Sequence, residues 1–148
     1  MVRKTGTFYC ILCLTALCAL SCVSTWRTPS KKEQLKSVYI EQFKLTYFRQ
    51  LLLKSYNYSD AIKEIIRSDY SGFTEPILTA ADDRLIDSLT TIQNEYLKAD
   101  SAAGNRRAEG AQGKRPLEFI MMNLQAKWLD SLAKRRLKLS GFPDESTD

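Results

Sequence analysis

Apolar residues recur along this chain at spacings of three and four, and no segment alternates with period two. From Lys31 to about Ser55, Leu35, Val38, Tyr39, Phe43, Tyr47, Leu51 and Leu52 form one stripe of a helix with 3.6 residues per turn. Ser30 is the expected N-cap, and Lys31, Lys32, Glu41, Lys44 and Arg49 are left for solvent. Tyr56-Asn57-Tyr58 ends the pattern, since Asn favours turns. Ser59 then caps a short helix from Asp60 to about Arg67, with Asp60 at its positive end and Ala61, Ile62, Ile65 and Ile66 as its buried face.

Ser68-Asp69-Tyr70-Ser71-Gly72-Phe73 reads as a turn-rich connector. Thr74 is the expected cap of the next helix, with Pro76 in its first turn, where a missing N–H costs nothing. Leu78, Ala81, Leu85, Leu89, Ile92 and Tyr96 follow gaps of 3, 4, 4, 3 and 4, a seam for another helix. A seam this short predicts a contact inside the core; a partner helix is the alternative. Pro116 opens the last helix, whose stripe is Leu117, Ile120, Met121, Leu124, Trp128 and Leu132. Lys134, Arg135, Arg136 and Lys138 suit its negative end, and Gly141 and Pro143 stop it. The prediction is an all-α domain, a compact bundle of about four helices. Its core is Phe43, Tyr47, Leu51, Ile62, Ile66, Leu78, Leu85, Leu89, Ile92, Leu124, Trp128 and Leu132.

Between the last two helices, Asp100 to Lys114 carries Gly104, Gly110 and Gly113 and no large apolar residue. Loops of this length are uncommon in compact domains and are either functional or disordered. As a functional loop it presents Arg106 and Arg107 as a charged tip.

The N-terminus has its own logic. Met1-Val2-Arg3-Lys4 is a short positive start, and Phe8 to Leu20 is an uncharged apolar run of signal-peptide length. All four cysteines, Cys10, Cys13, Cys18 and Cys22, lie in this segment. It ends Ala19-Leu20-Ser21-Cys22, similar to the bacterial lipobox, whose Cys receives a lipid and becomes the first mature residue. That lipobox usually has Leu where Ala19 stands. The expected division is a lipoprotein signal peptide over 1–21, a tether over 22–30, a helical domain over 31–141 and a disordered tail over 142–148. An ordinary secretory signal or an uncleaved anchor are the alternatives. Trp26 in the tether suits either a lipid interface or the first helix. With Cys22 lipidated, the mature domain holds no free thiol and no disulfide.

Composition narrows the chemistry. The chain has 148 residues, 44% hydrophobic and 26% charged, which suits one ordinary globular domain. Removing Arg3 and Lys4 with the signal leaves 20 basic against 17 acidic residues, a net charge of +3. That is too little for a nucleic-acid binder. Histidine is absent, which excludes Ser-His-Asp and Cys-His catalysis and His-ligated metals. There is no nucleophile elbow, no Ser-x-x-Lys pattern and no phosphate-binding loop. Asp82, Asp83 and Asp87 read as a solvated helix face. Lys134-Arg135-Arg136 reads as a helix C-terminal cluster or as a contact for anionic lipid. These features favour a binding protein over an enzyme, with no cofactor and no metal.

From about Tyr47 to Leu137 the chain resembles the immunity proteins that guard bacteria against type VI secretion amidases. Three patches carry the resemblance. They are Leu51-Leu52-Leu53-Lys54-Ser55-Tyr56; the connector Asp69-Tyr70-Ser71-Gly72-Phe73 with Ile86-Asp87-Ser88-Leu89 behind it; and Leu129-Asp130-Ser131-Leu132-Ala133-Lys134. Members of that family often carry pairing cysteines in the first and last helices, where this chain has apolar residues. The resemblance implies a small exported helical protein of the periplasm that blocks a peptidoglycan-cleaving cysteine amidase. It also implies a lipoprotein variant and a possible homodimer; with no Asp directly after Cys22 and no acidic run following it, attachment to the outer membrane facing the periplasm is expected. Arg106, Arg107, Asp69 and Phe73 are the candidate contacts for the amidase, and Cys22 the lipidation site. A structural or accessory lipoprotein of the cell envelope is the second reading.

Overall fold

The computed structural model describes residues 29–73, 75–102 and 113–141. Cys22, Trp26, Thr74, the Arg106–Arg107 tip and the expected tail lie outside the described residues.

Five helices make up the described chain: α1 (Lys31–Ser55), α2 (Asp60–Ser68), α3 (Ala80–Ala102), α4 (Pro116–Gln125) and α5 (Lys127–Leu139). The architecture is an all-α bundle, as the periodicity predicts. α1 is its axis, and each of the other four helices packs on it. The reason lies in the α1 stripe. Tyr39, Phe43, Tyr47 and Leu51, four residues apart, have no exposed surface at all. Tyr39 stacks on Phe43 at 6.5 Å between ring centroids, and Tyr47 meets Trp128 edge-on at 6.0 Å. α1 and α5 run antiparallel, because Lys44 reaches Asp130 while Tyr39, five residues earlier, lies near Arg136. α1 ends as expected at Tyr56-Asn57-Tyr58, where Asn57 and Tyr58 both take the left-handed conformation. The Tyr58 N–H closes the helix end on the Leu53 carbonyl at 2.8 Å.

Several expectations are corrected. α3 starts at Ala80, past Pro76, because Thr79 and Asp82 form a reciprocal cap. The Thr79 N–H and hydroxyl donate to Asp82 Oδ2 at 2.9 and 2.7 Å, and the Asp82 N–H donates to Thr79 Oγ1 at 3.2 Å.

The buried face of α3 is also not the apolar seam. Asp82, Ile86, Thr90, Asn94 and Leu97 point inward, while Leu85 and Leu89 are half-buried. Ile92 and Tyr96 stand 66% and 63% exposed. The polar inward residues are there because two cations from other helices need acceptors. Lys54, 7% exposed, donates to the Asp87 carbonyl and carboxylate at 2.6 and 2.8 Å and to the Thr90 and Thr91 hydroxyls at 2.9 and 2.6 Å. Arg136 Nε donates to Asp82 Oδ1 at 2.7 Å. Rotating α3 to bury its leucines would orphan both cations, and an unpaired buried charge costs more than an exposed Ile. Asp82 is therefore not on a solvated face.

The last helix is two helices. Ala126 breaks it with an extended backbone, φ −73° and ψ 136°. The Asn123 side chain braces the break, donating to the Phe119 carbonyl at 2.8 Å and accepting from Trp128 Nε1 at 3.1 Å. In consequence Ile120, Leu129 and Ala133 are buried, whereas Leu117 and Met121 are 57% and 59% exposed and Trp128 sits at the edge of the core. α2 packs loosely: Ile62 and Ile66 are half-buried, while Ala61 and Ile65 face solvent. Lys44 and Arg49, read as solvent-facing, are half-buried in ion pairs with Asp130 and Asp69.

Candidate functional site

Two of the sequence-predicted contacts, Asp69 and Phe73, belong to one turn laid against the outer face of α1. Arg49 holds it. Its Nη2 donates to the Asp69 carbonyl at 3.1 Å, the Asp69 carboxylate at 2.9 Å and the Ser71 carbonyl at 2.8 Å. Asp69 in turn accepts the Ser71 N–H at 3.0 Å and the Ser71 hydroxyl at 2.5 Å, an Asx-type turn. The Ser71 hydroxyl, then Arg49, hold the Asp69 carboxyl down at about 2. The carboxylate is thus ionised and fully engaged within the turn across the ordinary pH range.

A second pin lies farther along. The Phe73 N–H donates to Gln42 Oε1 at 3.2 Å. Gly72 between the two pins has φ +96°, and a Cβ there would meet Gln42 Oε1 and Leu45 Cδ2 at 2.7 Å. The side-chain ends of Gln42 and Leu45 could give way, but the positive φ strains any other residue and favours glycine here. The pinned backbone then throws its aromatic side chains outward: Tyr70 is 95% exposed and Phe73 50% exposed. Glu41, Gln42 and Leu45 of α1, with Gly72 and Phe73, line an open cleft of about 350 Å³ beside them.

Sequence reasoning missed Tyr70, Arg49 and Gln42. Tyr70 was legible in principle, since Asp-x-Ser with glycine next turns the middle side chain outward. Arg49 and Gln42 come from α1, 20 and 31 residues before their partners, and no local pattern pairs them.

Rings on a braced backbone beside a shallow cleft offer contact area at little ordering cost. Among the described residues no three Asp, Glu, Cys or His side chains converge as a metal site, and no helix is long and apolar enough to cross a membrane. The chain matches no protein-family model, and neither a curated protein nor a solved structure is similar to it.

Proposed function

We propose that this protein is an immunity-type binding protein of the cell envelope, held by a lipid on Cys22 at the outer membrane and facing the periplasm. It engages a peptidoglycan-cleaving type VI amidase and occludes its active-site cleft, without chemistry of its own. The observation that carries the reading is the braced turn, with Tyr70 and Phe73 displayed and Asp69 spent on holding them. The resemblance in the sequence supplies the class of partner. Arg106 and Arg107 form the second contact. A helix face supports self-association: Ile92 and Tyr96, the end of the α3 seam left outside the core, have the spacing of a helix–helix contact.

The test is calorimetric titration of the protein into the amidase encoded by a neighbouring gene. Tyr70→Ala with Phe73→Ala should weaken binding about thirtyfold or more, as truncating an aromatic hot spot typically costs about 2 kcal/mol or more. Gly72→Ala should weaken it too, by displacing the turn with both rings intact. Unchanged affinity in all three, with loss in Arg106→Ala plus Arg107→Ala, moves the interface to that loop. No binding by the unaltered protein to its neighbouring amidase leaves the structural lipoprotein.

A further inference from the structure

The chain's cations are not spread evenly. Among the described residues several are paired across the fold: Lys44 and Lys134 with Asp130, Arg49 with Asp69, Lys54 with Asp87 and Arg136 with Asp82. Lys36, Arg84, Arg135 and Lys138 are exposed and form no hydrogen bond or ion pair among the described residues. The packing gathers these four. Antiparallel α1 and α5 bring the start of α1 beside the end of α5, with Tyr39 buried near Arg136 and Asp82. The Asp82–Arg136 pair brings the start of α3 to the same place. Lys31 and Lys32 open α1 at this end. Of the acids nearby, Asp82 is fully buried, Asp130 is shared between two lysines and Asp87 is paired with Lys54, while Glu33, Glu41 and Asp83 are exposed.

We propose that this end of the bundle is a docking face for an anionic phospholipid surface. It is the end at which the chain enters the domain, and its orientation rests on the Cys22 anchor proposed above. Nine residues from Cys22 to Lys31 span at most about 30 Å. The 25-residue α1 carries its far end about 38 Å beyond Lys31. A lipid at Cys22 therefore holds the basic end nearest the headgroups and leaves the other end of α1 free to point into the periplasm. Long flexible cations with no preformed pocket suit a fluid charged surface, where each adds about fivefold to the affinity.

The experiment uses the chain from Val23 onward, without the anchor; the compact unit begins at Lys31, so every core contact is kept. It is sedimented with vesicles of phosphatidylethanolamine and phosphatidylglycerol, or of phosphatidylcholine alone, at low and high salt. Binding is expected on the anionic vesicles at low salt, and its loss in high salt and on phosphatidylcholine. Lys36→Glu with Arg135→Glu and Lys138→Glu should weaken binding roughly hundredfold. Lys127→Glu, at the other end of α5, should change it less than about fivefold. A circular dichroism melt shows that each variant is folded. A chain ending at Gly141, without Asp144, Glu145 and Asp148, should bind at least as well. The proposal is overturned if the unaltered chain ignores anionic vesicles, binds phosphatidylcholine equally, or binds as before in the triple variant. Capture of an acidic polypeptide without vesicle binding overturns it as well. Fractionation of full-length Cys22→Ser tests the anchor separately, so failure of one reading is not mistaken for failure of the other.

Discussion

Arg136→Ala isolates the contact that ties α5 to α3. Asp82 is fully buried and Arg136 one-fifth exposed, with Nε 2.7 Å from the carboxylate. Removing one partner of such a pair leaves the other charge buried, which typically costs about 3–5 kcal/mol. Two features place this case at the lower end. Asp82 keeps the Thr79 hydroxyl and N–H, and Arg136 is partly hydrated in the native state. The expected loss is about 3 kcal/mol, a large share of a stability of roughly 5–15 kcal/mol. At about 4 °C per kcal/mol for a domain of this size, the melting temperature should fall by roughly 12 °C.

Urea and thermal melts at neutral pH measure this, in a double-mutant cycle with Asp82→Ala. The two single losses should be strongly non-additive. Lys134→Ala, which breaks an exposed pair with Asp130, should cost less than about 1 kcal/mol. Acid gives an independent check. Burial pushes the Asp82 carboxyl up, but the bonds from Thr79 and Arg136 outweigh it and hold it below the ordinary carboxylate range. A carboxyl lowered by folding stabilises above its unfolded value, about 4, and that stabilisation drains away as the pH falls through the folded value. The gap between unaltered protein and Arg136→Ala should therefore narrow in acid. A loss under about 1 kcal/mol, additive single variants, or a gap that persists unchanged in acid would refute the reasoning.

Three further outcomes follow from the packing. Ile86→Ala should cost about 2–5 kcal/mol in a urea melt and Ile92→Ser within about 0.5 kcal/mol, although the apolar periodicity ranks them the other way. Lys54→Ala should cost about 1–3 kcal/mol by the same measurement, since it leaves the buried Thr90 oxygen without that donor while the exposed Asp87 carboxylate can hydrate, whereas Lys63→Ala on α2 should be nearly silent. In a carbon-detected titration the Asp69 carboxyl should change near pH 2; because its value is lowered, the turn's bracing holds above the ordinary carboxylate range and is lost only as pH falls toward 2.

Much of this fold can be read from residue spacing, and the exceptions share one cause. The α1 stripe is legible because its inward side chains are all apolar and burial needs no other argument. The boundary at Tyr56-Asn57-Tyr58 is legible from turn chemistry. The α3 face is not, because two cations on other helices decide which side turns inward, and neither Lys54 nor Arg136 announces its burial locally. The start of α3 was legible: Thr79-Ala80-Ala81-Asp82 is a capping box, and Pro76 was the weaker signal. The break at Ala126 has no Gly or Pro to mark it and depends on Asn123 finding Phe119 and Trp128. In the candidate site the turn itself is local and legible, while its rigidity comes from Arg49 and Gln42, which only the fold brings near.

The exceptions also explain where apolar surface ends up. α3 turns Asp82, Thr90 and Asn94 inward and leaves Ile92 and Tyr96 outside, so the bundle exchanges an aliphatic contact for ion pairs and caps that allow only one rotation of the helix. Buried pairs add little net stability against a hydrophobic alternative, yet they strongly penalise a wrong register. A helix fixed that way can carry exposed Ile and Tyr side chains without rolling over to bury them. The same device operates at the turn, where Arg49 and the Asp69 carboxylate hold Tyr70 in water with its ring uncovered. In both places polar contacts inside the fold set the position of apolar groups outside it, and a surface built that way holds its shape before anything touches it.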